Sequence, residues 1–111
     1  MKLSDLVAEL GLTVINKGEN FDRVLTGGYT SDLLSDVMGN VEEGMIWITL
    51  QIHRNTIAVA SLKEVAAVLL IGGAELGEDT LEQARNEGVN ILATDMSAFE
   101  ASGRIYMLLN S

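Results

Sequence analysis

Thr26-Gly27-Gly28-Tyr29-Thr30-Ser31 gathers two glycines and four hydroxyl-bearing side chains into six consecutive residues. Set between a strand end and a helix start, such a segment presents backbone N–H groups that would hold an anionic or polar small molecule. A second pair, Gly72-Gly73, closes the apolar run Val65–Ile71 in the same manner. Glycine takes positive φ without a Cβ clash, so each pair reads as a sharp corner where the backbone approaches a ligand or a neighbouring element. No lysine follows in the spacing Gly-x-x-x-x-Gly-Lys-Ser/Thr, which argues against a nucleotide-hydrolysing P-loop. Glu75, Glu78 and Asp79 crowd the second corner and compete with an incoming anion for the helix dipole, so a shape-giving role is the stronger reading there. At the first corner a structural account stands beside the binding one: the glycines turn the chain and Thr30 or Ser31 caps the next helix.

Outside these corners, the residue types that do chemistry are scattered. His53 is the only histidine and has no second histidine, cysteine or acidic pair near it in sequence, which fits a polar strand end better than a catalyst or metal ligand. Arg54, beside it, has apolar runs on both sides and is placed to meet a carboxylate or a ligand across a sheet. Ser97 has no assignable base and reads as a helix cap, and Glu42-Glu43 reads as an exposed turn. The sequence therefore yields no catalytic set, no metal site and no cofactor. Its candidate ligand-binding residues are Thr26, Gly27, Gly28, Thr30, Ser31, Arg54, Gly72 and Gly73.

The elements that must position these residues follow from periodicity. Ser4 caps a short helix with Leu6, Val7 and Leu10 on one face, stopped by Gly11, and Leu12–Asn16 reads as a strand. Arg23–Thr26 reads as a short strand running into Gly27-Gly28. A helix then carries Leu33, Leu34, Val37 and Met38 inward and stops at Gly39-Asn40. Met45–Ile52 alternates as a strand, with Ile46, Ile48, Leu50 and Ile52 on one face and Met45, Trp47, Thr49 and Gln51 on the other. The second, mixed face suits partial cover by a helix or a partner subunit. Asn55–Leu62 reads as a crossover helix, Ala67–Ile71 as a buried strand, and Glu78 onward as a helix ended by Gly88. Val89–Ala93 is a further strand, and Ser97 opens a last helix with Ala98, Phe99, Ala101, Ser102 and Ile105 inward. This alternation predicts an α/β fold: a single layered domain over residues 1–111, with a mostly parallel sheet of about five short strands and helices packed on it.

Composition narrows the partners. Sixteen acidic against seven basic residues give a formal charge of −9, and the cations are dispersed, which disfavours nucleic acid and anionic membrane surfaces. Asp5 and Glu9 interrupt what would be the apolar centre of an export signal, and the absence of cysteine suits a reducing, cytoplasmic setting. In a small aliphatic-rich domain, apolar surface is left over, and the face bearing Met45 and Trp47 predicts a homodimer.

Met45 through Tyr106 resembles the DRTGG domain. That family has a strand ending in Gly-Asp-Arg, a helix, a strand ending in Thr-Gly-Gly, a helix, and a final strand and helix. The matching positions here are Ile52-His53-Arg54, then Val68-Leu69-Leu70-Ile71-Gly72-Gly73, then Gly88-Val89-Asn90-Ile91-Leu92-Ala93-Thr94. Arg54, Gly72 and Gly73 match, whereas His53 stands in place of the Asp and Ile71 in place of the Thr. The domain precedes the kinase domain in the kinase/phosphorylase of the histidine-containing phosphocarrier protein, occurs in CBS-domain pyrophosphatases, and exists alone in short proteins. Phosphotransfer in the kinase belongs to a separate P-loop domain. The resemblance thus implies a non-catalytic regulatory or assembly module that dimerises and takes a small-molecule effector. The alternative is a small enzyme using the Thr26–Ser31 corner with Arg54.

Overall fold

Ala67–Leu70, four aliphatic residues all buried, forms the central strand of a five-stranded sheet in the computed structural model, which describes residues 1–111. In chain order the elements are α1 (Leu3–Leu10), β1 (Thr13–Asn16), β2 (Gly27–Thr30), α2 (Leu34–Asn40), β3 (Met45–Thr49), α3 (Asn55–Leu62), β4 (Ala67–Leu70), α4 (Glu78–Glu87), β5 (Ile91–Ala93) and α5 (Ala98–Leu109). The strands lie in the order β1-β5-β4-β3-β2. β2 to β5 are mutually parallel, and only β1 runs antiparallel, against β5.

The steps β2→β3→β4→β5 all go the same way across the sheet, and crossovers of one hand then place their helices on one face. Val37 of α2, Ile57 and Ala60 of α3 and Ala84 of α4 accordingly pack with Trp47, Val68, Leu70 and Ile91. The opposite face, with Ile46, Ile48, Leu69 and Leu92, is covered by Leu3 and Leu6 of α1 and by Ala101 and Ile105 of α5. β4 is buried on both faces for this reason, and so its sequence does not alternate.

Several boundaries follow the sequence closely. α3 spans the expected residues, Gly11 and Gly88 end α1 and α4 in left-handed conformation at φ 62° and 69°, and Ser97 Oγ accepts the Glu100 N–H at the start of α5. Others are corrected. Gly27-Gly28 is not a strand-to-helix corner: the pair lies inside β2, in parallel register with Met45 and Ile46, and Arg23–Thr26 is not a strand element. Neither Thr30 nor Ser31 caps α2, whose N-cap is Leu33, and Ser4 lies within α1 rather than capping it. β3 stops at Thr49 instead of Ile52 because the Asp32 carboxylate takes both the Thr49 hydroxyl and the Leu50 N–H, drawing Leu50 out of the ladder. Trp47 is wholly buried beneath the helices of its own chain, so it leaves nothing for a partner. Phe99, expected inward, points to solvent.

Candidate functional site

Parallel strands give the sheet two chemically different ends. The carboxyl edge collects the loops β2–α2, β3–α3, β4–α4 and β5–α5, and each of the first three leads into a helix on the same face. This is where open parallel sheets present loop side chains and helix N-termini together.

Hydrogen bonding fixes the β3–α3 loop from both sides. Asp32 accepts from Thr49 Oγ1 at 2.8 Å and from the Leu50 N–H at 2.7 Å, and the Gln51 amide donates to the Asp32 carbonyl at 3.1 Å. Gln51 Oε1 in turn accepts the His53 N–H, and His53 Nδ1 accepts the Asn55 N–H, both at 3.0 Å. The loop is therefore held by its own side chains, and Arg54 is delivered at the first turn of α3. The adjoining β2 end is held likewise: Trp47 Nε1 donates to the Ser31 carbonyl at 2.9 Å, and Ser31 Oγ accepts the Leu33 N–H at 3.2 Å. Tyr29 donates its phenol to Asp36 Oδ2 at 2.8 Å. The Ser31 hydroxyl and then the Tyr29 phenol hold the Asp36 carboxyl below its ordinary range, and the same Asp36 contact raises the Tyr29 phenol above its own.

Gly72 and Gly73 sit in the β4–α4 loop at φ 60° and 76°, a region that costs any residue with a Cβ. Their N–H groups are already spent. Gly72 donates to the Met96 carbonyl at 2.8 Å and Gly73 to the Thr94 carbonyl at 3.2 Å, so the pair stitches the β4–α4 loop to the β5–α5 loop.

Two clefts open on either side of this stitched loop. One, of about 440 Å³, is lined by His53, Arg54, Gly77, Glu78, Asp79 and Thr80, with no apolar side chain among them. Arg54 is in none of the three ion pairs, whereas Glu78 is held by Arg85 at 3.3 Å, and the N-cap of α4, Gly77, provides no side-chain acceptor for the first-turn N–H groups. The other, of about 410 Å³, lies where Gly73, Thr94 and Asp95 meet Leu70 and Leu81 above β1. Its wall is more apolar and carries no cation.

The eight sequence candidates are thus divided. Arg54, Gly72, Gly73 and Ser31 gather at the carboxyl edge. Thr26, Gly27 and Gly28 stand at the other end of β2, where Thr26 donates its hydroxyl to the Glu43 carbonyl at 2.9 Å and its N–H to the Gly44 carbonyl at 3.0 Å. Thr30 turns its hydroxyl to Ser102 of α5, 2.7 Å away, and lines with Thr26, Gly27 and Gly28 a hollow of about 360 Å³ beside that helix. An assembly of Thr26–Ser31 with Arg54, which the enzyme alternative requires, is not formed. Asp32, Gln51 and Thr80 also stand at the carboxyl edge and are not among the sequence candidates. Asp32 shapes the loop through partners in β3, and nothing local to Asp32 signals them.

The family model of the DRTGG domain matches residues 5–108, which extends the resemblance well upstream of Met45. Among solved structures, the chain is similar to the CBS and DRTGG domains of the regulatory region of Clostridium perfringens pyrophosphatase, complexed with the activator diadenosine tetraphosphate. The identity is 16% and the TM-score 0.72 over 95% of this chain, which spans 45% of that one. No curated protein matches the sequence. No helix is long and apolar enough to cross a membrane.

Proposed function

The chain belongs to the DRTGG domain family, and from that premise we propose that it is a non-catalytic regulatory module which dimerises and takes a small polar or anionic metabolite at the carboxyl edge of its sheet. One observation carries the reading. Arg54, free of any carboxylate partner in a chain of charge −9, stands in an all-polar cleft beside the uncapped start of α4. A ligand's anionic group there gains first from the guanidinium, and from first-turn N–H groups for which Glu78 competes less because Arg85 pairs with its carboxylate. Asp79 and Thr80, on the same wall, suit the hydroxyl or amino groups of the same molecule. Gly72-Gly73 serves this site indirectly, by fixing the loop that separates the two clefts. A regulatory role accords with the related DRTGG domain's place in a regulatory region whose activator is a nucleotide.

Isothermal titration of the purified chain with inorganic phosphate, adenine mononucleotides, diadenosine tetraphosphate and small carboxylates tests this. Saturable binding by one class, weakened at least about tenfold in Arg54→Ala, is the expected result, since a charge-assisted contact is worth about 1.5–3 kcal/mol. Binding that Arg54→Ala leaves intact contradicts the assignment of the cleft, and turnover of any of these compounds contradicts the non-catalytic reading.

A further inference from the structure

The outward face of α5 is unlike the rest of the surface. Phe99, Tyr106 and Met107 are 90%, 68% and 72% exposed, the three most exposed large apolar side chains of the chain. Between them stands Gly103, and a Cβ built on it would meet nothing within 4 Å. Glycine inside a helix is unfavourable relative to alanine. The chain's own packing gives no reason for it here, whereas close approach of a second helix does, because interaxial distance is set by side-chain size at the contact. At about 100° per residue, Gly103 lies opposite the buried Ala101 and Ile105, at the crest of the exposed face.

We infer that a second copy of this chain docks on that face, with the two α5 helices crossing antiparallel at Gly103; the inference rests on the homodimer reading above and supplies its surface. Phe99 stands four residues before Gly103 and Met107 four after it, so an antiparallel two-fold crossing brings each Phe99 level with Tyr106 and Met107 of the other copy. Phe99 leans to the β2 side of the helix. The dyad carries it toward the hollow that Gly28, Ile48, Tyr106 and Leu109 line on the other copy. No charged residue lines that hollow, so two chains of charge −9 meet there without like charges being buried. On the opposite flank, Glu100 and Arg104 of one helix form an ion pair at 3.1 Å. An antiparallel crossing places Glu100 of each copy beside Arg104 of the other, whereas a parallel two-fold carries the two Glu100–Arg104 flanks to opposite sides of the seam, out of each other's reach. The pair therefore specifies the orientation.

Sedimentation equilibrium of the full chain tests the surface. Wild type is expected to dimerise at micromolar concentration, and Phe99→Asp, Glu100→Arg and Arg104→Glu each to raise the dimer Kd about tenfold or more. Mixing Glu100→Arg with Arg104→Glu restores opposite charges at both contacts and is expected to recover a heterodimer near wild-type affinity. All three side chains are exposed, so the variants should keep the wild-type circular dichroism and melt cooperatively, Glu100→Arg and Arg104→Glu slightly earlier for the loss of their i,i+4 pair, and the mixing experiment decides even if Phe99→Asp folds poorly. A wild-type dimer indifferent to every variant overturns the α5 surface and leaves the homodimer reading standing. A mixture that fails to recover overturns the antiparallel crossing, and a wild-type monomer throughout overturns both.

Discussion

Gly27-Gly28 and Gly72-Gly73 are the same dipeptide at opposite ends of one parallel sheet, and they do different things. Gly72 and Gly73 occupy left-handed backbone at the end of the central strand, and both N–H groups hold the neighbouring loop. Gly28 lies in ordinary extended strand at the sheet edge, and a Cβ there would stand 3.4 Å from Ile46 Cγ2, close to normal contact. Gly72-Gly73 is required by backbone geometry. Gly27-Gly28 leaves a space beside α5. A glycine pair therefore carries no function of its own; the strand position and the donors' partners assign it one.

Substitution separates the two pairs most widely at the corner. Gly72→Ala and Gly73→Ala should each lower stability by about 1–2 kcal/mol in urea denaturation, since left-handed backbone penalises a Cβ. Gly72 should lie at the upper end, because its Cβ would also press on Leu50 Cδ2 at 3.3 Å. Gly28→Ala is expected to change stability by less than about 1 kcal/mol, and in the stabilising direction, because alanine restricts the unfolded chain more than glycine does. Equal losses at both pairs would break the comparison.

The smallest effect sharpens the description of the β2 end. Asp36 has a folded pKa below its unfolded value, so its contribution is present above the unfolded carboxylate range and is lost as pH falls through the folded value. Tyr29 has a raised pKa, so its contribution is complete below about pH 10 and is lost as pH rises through the higher folded value. Tyr29→Phe should flatten both limbs of the stability profile, the acid limb only in part because the Ser31 hydroxyl remains. An unchanged profile would contradict the Tyr29–Asp36 bond.

Much of the fold was legible in the sequence because its signals are local. The aliphatic run of β4, the Ser97 cap and the Gly88 stop specify their elements without reference to distant residues. β2 lies four residues beyond the expected Arg23–Thr26 because glycine pairs punctuate chains in general, and what makes Gly27–Thr30 a strand is its pairing with Met45–Ile48, which no local pattern encodes. Of the residues at the carboxyl edge, Arg54, Gly72 and Gly73 stand out in the sequence as candidates, whereas Asp32 and Thr80 do not. Long-range ties of the same sort close the amino edge. Asn90, buried, accepts the Gly18 N–H at 2.7 Å and donates to the carbonyls of Glu19 and Ala66, a latch between segments far apart in sequence.

Thermal melting of wild type, Arg54→Ala and Gly28→Ala, each with and without the same panel of phosphate, adenine nucleotides, diadenosine tetraphosphate and carboxylates, tests the central claim most directly. Ligand bound only to the native state raises Tm. The account predicts that one class of compound raises Tm for wild type and Gly28→Ala but not for Arg54→Ala. A shift that persists in Arg54→Ala and disappears in Gly28→Ala would contradict it, moving the effector from the carboxyl edge to the hollow beside α5.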